Sequence, residues 1–182
     1  MTRIYTRSGD NGSTGLANGQ RVAKTSARIG AIGTVDECNA HLGMLVSLID
    51  DSELARHLVL IQHQLFDLGA TLAGVPESLI KARHVSALEK YIDELAAAVP
   101  PLKHFVLPGG SSAAAQAHIS RAVCRRAERL AFALANTESI PAEVVQFLNR
   151  LSDFLFLVAR TLSQGQNEHQ GGEVRWAPEG ER

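Results

Sequence analysis

Sulfur is scarce in this sequence, with two cysteines and two methionines in 182 residues. Cys38 and Cys124 lie on helix-like segments and lack the spacing of a thiolate metal site, so reduced, buried thiols are expected in place of a disulfide or a zinc centre. Aromatic residues make up only 5% and Thr numbers eight, against 25 Ala and 22 Leu. That balance disfavours sheet and points to an all-α core. No apolar run approaches the roughly 18 residues of a membrane span. The opening Met1-Thr2-Arg3-Ile4-Tyr5 is no apolar signal stretch, so a cytoplasmic protein with no membrane partner is expected. Neither the P-loop pattern nor Gly-x-Gly-x-x-Gly occurs, which removes the mainstream nucleotide-binding folds. The histidines form no Glu-x-x-His or His-x-x-x-His pair, which disfavours a di-metal bundle, and no metal-ligating residues are assigned.

What is present is charge of sorted sign. The formal total is −1. Yet Arg3, Arg7, Arg21, Lys24 and Arg28 outnumber Asp10 near the start, and Arg121, Arg125, Arg126 and Arg129 surround Glu128 later. Two compact cationic clusters in an otherwise acidic chain suit a small polyanion better than a nucleic acid, which would call for a basic protein with interleaved aromatics. Of the 18 basic residues, 14 are arginine, the side chain suited to bidentate contact with phosphate.

One domain is expected over residues 1–182, with an N-terminal arm (1–23), a helical bundle (24–163) and a polar tail (164–182). The arm is Gly-, Ser- and Thr-rich, which is loop chemistry. Helical spacing runs from about Lys24 to Ile49, as one kinked helix or as two. Gly30 and Gly33 weaken its middle, and Thr34-Val35-Asp36-Glu37 reads as a capping box. Leu54, Leu58, Ile61, Leu65, Leu68 and Leu72 predict a second helix ending near Gly74. Ser86 to Glu89 reads as a second capping box, opening a short third helix that Pro100-Pro101 ends. Ser111-Ser112 caps a long alanine-rich helix to about Ala135, and a last one starts near Pro141. Short connections favour an antiparallel five-helix bundle.

Three constellations could carry chemistry. Tyr5 to Gly15 gathers hydroxyls, glycine-freed backbone N–H groups and a cation, the groups that a phosphate chain takes up, with Lys24 close behind; the alternative is a flexible polar terminus. At about 100° per residue, Arg121, Arg125 and Glu128 share one face, opposite Val123, Cys124, Ala127, Leu130 and Leu134. That strip is a polyanion site or a solvated face with an internal ion pair. On the last helix Asn149, Asp153, Phe156 and Arg160 line up, either as ligand contacts or as an inter-helix network.

Taken together, Ile4 to Asp10, Gly33 to Glu37, Phe105-Val106-Leu107-Pro108-Gly109-Gly110, Arg121 to Arg129 and Asn149-Arg150-Leu151-Ser152-Asp153 resemble the ATP:cob(I)alamin adenosyltransferases of the PduO type over about residues 3 to 162. The resemblance implies a homotrimeric five-helix bundle with sites between subunits. It also implies transfer of the 5'-deoxyadenosyl group of ATP to the cobalt of cob(I)alamin, with release of triphosphate. By motif position, Thr6, Arg7, Ser8, Gly9, Thr14, Gly15 and Lys24 would cradle the phosphates. Arg125, Arg126, Glu128, Arg129 and Asn149 would complete an ATP site with Mg2+. Asp36 and Arg121 resemble the pair that braces the site, and Phe105 the aromatic that closes the corrin face. The chain departs from the family at Arg7, Ser8 and Asn11, where Lys, Thr and Lys are frequent. A cobalamin reductase and an adenosylcobalamin-dependent mutase are the implied partners. The competing readings are a non-catalytic ATP-sensing bundle and a structural interaction module.

Overall fold

The computed structural model describes residues 3–50, 52–164 and 172–180. Five helices carry the chain: α1 (Ala27–Val46), α2 (Ser52–Leu72), α3 (Ala82–Ala98), α4 (Ser112–Ala135) and α5 (Ala142–Thr161). Ahead of them two strands, β1 (Ser13–Gly15) and β2 (Arg21–Ala23), pair antiparallel with Thr14 opposite Val22. The arm is therefore a small hairpin and not wholly irregular. Leu16 donates its N–H to the Gln20 carbonyl at 2.8 Å, and Gly19 takes the left-handed conformation its turn requires.

Packing neighbours run in the order α2, α1, α4, α5, α3, so α4 lies in the middle. Its alanines explain why: Ala114, Ala117, Ala127 and Ala131 have no exposed surface, and side chains this small let α1 and α5 approach from both sides. The bulk comes from α5, whose Phe147, Leu148, Leu151, Phe154, Leu155 and Val158 are buried, and from the predicted leucine stripe of α2. The short connections between α1 and α2 and between α4 and α5 fold each pair antiparallel. Among the described residues no helix is long and apolar enough to cross a membrane.

Two predicted helix starts are corrected. The Thr34 box lies inside α1, a single continuous helix that begins where Ser26 Oγ accepts the Ile29 N–H; the Thr34 hydroxyl instead donates back to the Gly30 carbonyl at 2.9 Å. The buried stripe Ala31, Val35, Cys38, Leu42 and Leu45 runs on through the glycines, and its packing outweighs the cost of about 1 kcal/mol per glycine. Likewise α3 starts a turn before Ser86, where the Lys81 N–H donates to His84 Nδ1 at 3.1 Å and Val85 is already buried.

The arm docks at the end of α2. Ala17 donates its N–H to the Ala73 carbonyl at 2.9 Å, and Gly74 follows at φ 87°, where a Cβ would lie 2.9 Å from Asn18 Nδ2. Only glycine satisfies both demands. Arg28 secures the same end, reaching the Leu72 carbonyl and pairing with Glu138 at 2.6 Å.

Candidate functional site

Within the arm, the hydroxyls of Thr6 and Ser8 lie 2.8 Å apart. Between them Arg7 holds φ 59° with its guanidinium 5.4 Å from the Tyr5 ring centroid. A positive φ at a non-glycine residue is a strained conformation of the kind that functional loops retain. Arg21 ties the loop together, donating to the Ser8 carbonyl at 2.8 Å and to Ser13 Oγ at 2.6 Å. Lys24 reaches back over Gly9, where a Cβ would lie 3.1 Å from Nζ, and its N–H donates to the Gly12 carbonyl at 2.8 Å. Glycine at position 9 thus leaves room for the ammonium. The hairpin holds Thr6, Arg7, Ser8, Gly9, Thr14, Gly15 and Lys24 together, with Thr14 half-buried and Gly15 exposed.

The second cationic cluster occupies one face of α4, whose opposite side buries Val123, Cys124, Ala127 and Leu134. Burial pushes the Cys124 thiol well up, and it donates to the Leu148 carbonyl at 3.2 Å, so it offers no thiolate. Arg125 and Arg129 are exposed, with no carboxylate partner among the described residues. Between them Glu128 is held firmly: its Oε1 accepts from Asn149 Nδ2 at 2.9 Å, and Asn149 Oδ1 accepts from Arg150 Nη1 at 2.6 Å. Arg150 in turn pairs with Glu89 at 2.8 Å. This chain of bonds from α3 through α5 to α4 fixes the Asn149 amide and points the carboxylate. Arg126 is engaged elsewhere, pairing with Glu37 of α1, whose carboxyl that hydrogen bond draws below the usual range.

Arg121 is half-buried. Its guanidinium sits 5.9 Å from the Phe156 ring centroid, and its buried Nε has no partner. Burial first, and neighbouring Arg125 second, draw it below the ordinary arginine value. An unpartnered buried donor on a cation requires an explanation. Asp36 is exposed on α1, and no ion pair joins it to Arg121 within the chain. Beside Arg121, His118 is 7% exposed with Nδ1 unpartnered; desolvation, then Arg121, lowers its pKa.

Phe105 lies on the connection between α3 and α4. It is 76% exposed, and its ring meets Trp176 edge-on at 6.4 Å. The two border an open cleft of about 440 Å³ with Leu102, Lys103, His104 and Arg175. Each ring gives the cleft an apolar wall.

The structure brings some predicted residues together and leaves others apart. The α4 and α5 residues Arg125, Glu128, Arg129 and Asn149 form one surface, as the arm residues form another. No hydrogen bond or ion pair joins the described arm to α4. The polar line on α5 is not uniform: Asp153 is exposed, Asn149 and Phe156 are half-buried, and Arg160 is buried. Sequence reasoning missed Arg21 as the organiser of the arm, counting it only as charge, and it missed the Glu89–Arg150 support of Asn149. Trp176 lies in the tail, which the sequence marks only as polar. Among the described residues no three His, Cys, Asp or Glu side chains converge on a point.

Fold and site together define a helical bundle with three candidate ligand-binding surfaces: a hydroxyl- and glycine-rich arm, an arginine-rich helix face and an aromatic-walled cleft. The sequence profile of the Cobalamin adenosyltransferase family matches residues 4–162, and the chain belongs to that family. A Cobalamin adenosyltransferase of Cupriavidus metallidurans is 48% identical over 182 residues, spanning 100% of this chain and 97% of that protein. The Corrinoid adenosyltransferase of Bacillus subtilis is 42% identical over 168 residues, 88% of this chain and 86% of that one. A phenylalanine-to-alanine variant of the PduO-type ATP:corrinoid adenosyltransferase from Lactobacillus reuteri, complexed with cobalamin and ATP, has the same fold. Its TM-score is 0.87 at 35% identity, covering 96% of this chain and 99% of that chain.

Proposed function

We propose that the chain is an ATP:corrinoid adenosyltransferase, which transfers the 5'-deoxyadenosyl group of ATP to the cobalt of cob(I)alamin. The observation that carries the reading is the pair of carboxylate-free arginines, Arg125 and Arg129, flanking the clamped Glu128–Asn149 pair. Unneutralised guanidinium groups held beside a fixed polar pair are what a polyphosphate leaving group requires. In the reaction the cobalt(I) electron pair attacks C5' of ATP. The Co–C bond forms as the C5'–O bond breaks, and triphosphate departs with the bonding electrons. Cobalt supplies the nucleophile, so the protein has to align C5' and stabilise the departing charge.

On this reading Thr6, Arg7, Ser8, Gly9, Thr14, Gly15 and Lys24 cradle the phosphates, while Arg125 and Arg129 neutralise charge as it develops. Arg126 is left out, because Glu37 already holds it. Mg2+ bound to the triphosphate would add positive charge to the leaving group, and Glu128, whose second oxygen has no partner among the described residues, supplies a hard ligand for it. Phe105 and its cleft take the corrin face, where an apolar ring keeps water and the lower axial base from the metal.

The arm and the α4 strip, unconnected within one chain, support a homotrimer in which one copy's arm completes a neighbour's strip. Asp36 of one copy would then meet the orphaned Nε of Arg121 in the next. Two buried free thiols agree with a reducing, cytoplasmic location. A cobalamin reductase would supply cobalt(I), and an adenosylcobalamin-dependent mutase would consume the product.

The test is an anaerobic assay with ATP and chemically reduced cobalamin, followed by corrin absorbance and triphosphate release. One triphosphate per adenosylcobalamin formed is expected. ATP binding without any corrin change would refute the enzyme. Sedimentation at the mass of three chains checks the assembly.

A further inference from the structure

A residue as exposed as Phe105 cannot be positioned by its own burial, so something else must hold it. The described tail does so through its backbone. Leu107 donates its N–H to the Val174 carbonyl at 2.9 Å, and Trp176 donates its N–H to the Phe105 carbonyl at 2.8 Å, with Val106 opposite Arg175. A two-bond ladder is weak by itself in water. One residue before it, Glu173 meets Arg160 of α5 with Nε to Oε1 at 2.7 Å and Nη2 to Oε2 at 3.3 Å. The Arg160 side chain is 5% exposed and that of Glu173 25%.

We propose that the Arg160–Glu173 ion pair is a positioning device for Phe105: it anchors the tail on the bundle, and the 174–176 ladder transmits that anchor to residues 105–107. Three observations carry this. Arg160 sits in the last turn of α5 between buried Ala159 and half-buried Thr161, and a guanidinium so placed demands a counter-charge with matched geometry, which the forked contact supplies. The ion pair lies beside the ladder and lines a second cleft with Pro100, Pro101 and Val106, on the root of the Phe105 segment. Residues 99–111 have no helix or paired strand of their own beyond the Val106 bridge, so the tail is their regular partner. Arg160 and Glu173 pair with each other, and among the described residues neither side chain is hydrogen-bonded to the arm or to Arg125, Glu128, Arg129 or Asn149. The link to turnover rests on the corrin-facing role of Phe105 proposed above; the mechanical link to residues 105–107 does not.

Full-length Glu173→Gln and Arg160→Met separate the possibilities. The second leaves no buried charge, because Glu173 can turn to water, so it keeps the test open if the first folds poorly. In the ligand-free protein, amide exchange at Leu107 and Trp176 should rise about tenfold in both variants, while exchange at buried positions of α4 stays at the wild-type rate. With ATP and reduced cobalamin, kcat should fall by about tenfold with the KM for ATP unchanged. Wild-type exchange at both amides overturns the proposal; raised exchange with a kcat within twofold of wild type overturns its link to turnover while the anchoring stands. If the wild-type protein forms no adenosylcobalamin, the proposed function fails, and the exchange measurement still decides whether the ion pair anchors the segment.

Discussion

Replacing Phe105 with alanine separates a structural aromatic from one that faces a ligand. A fully buried phenylalanine truncated to alanine costs about 3 to 5 kcal/mol. Phe105 is 76% exposed, so only a small part of that applies, and its edge-on contact with Trp176 adds about 0.5 to 1.5 kcal/mol. The expected loss is therefore near 1 kcal/mol, which for a chain of this length lowers the melting temperature by about 2 to 4 °C. The ladder that holds the segment uses the main chain at position 105 and survives the substitution. Turnover is another matter. If Phe105 takes the corrin face as proposed, opening the apolar wall admits water or the lower axial base to a cobalt otherwise kept four-coordinate, and a hundredfold loss corresponds to about 2.7 kcal/mol of lost transition-state stabilisation. The assay is differential scanning calorimetry on the variant, paired with the absorption and magnetic resonance spectra of its ATP complex with cob(II)alamin. The four-coordinate signal should vanish while the fold persists. A melting drop above about 10 °C with an unchanged four-coordinate signal would refute the reasoning, because a side chain this exposed contributes too little packing to produce it.

Arg125→Ala removes an exposed, carboxylate-free guanidinium, so the melting temperature should hold while turnover falls by an amount equivalent to about 3 kcal/mol; activity within twofold of wild type rejects a phosphate role. Asp36→Ala and Arg121→Ala should each weaken assembly, and the double variant should be no worse than either, whereas additive losses in the cycle would show that they are not partners. His118 gives a pH signature. Burial, then Arg121, holds its folded pKa below 6.5, against a weaker opposing pull from Glu173. Between that lowered value and 6.5 the unfolded chain binds the proton that the folded chain refuses, so stability falls with falling pH. Denaturant titrations should find wild type losing stability relative to His118→Gln as pH drops below 6.5, with the difference level in the alkaline range. A difference that grows in favour of wild type on acidification contradicts the assignment.

Helices with a one-sided stripe could be read directly: the leucines of α2 and α5 recur every three or four residues, and each stripe is buried as its spacing demands. The two misplaced helix starts had a common cause. Thr34 and Ser86 have side chains able to cap, but capping requires that the preceding residues leave the helix, and burial of Ala31 and Val85 keeps them in it. Arg126 and Arg125 are neighbours of one chemistry, and the carboxylate of Glu37 on another helix alone distinguishes them.

By itself the sequence determined what is local or periodic: the helical class, the glycine- and hydroxyl-rich arm, the arginine face of α4 and the motifs that mark the family. These follow from spacing along the chain, which the backbone converts directly into shared faces and turns. Tertiary structure decided which charges are paired, that Glu89 and Arg150 hold Asn149, and that in a tail with no helical period Glu173 pairs with Arg160 while residues 174–176 bond to the main chain of 105–107. Those outcomes depend on partners distant in sequence, and a guanidinium carries no mark of its partner until folding sets the distance and removes the water between them.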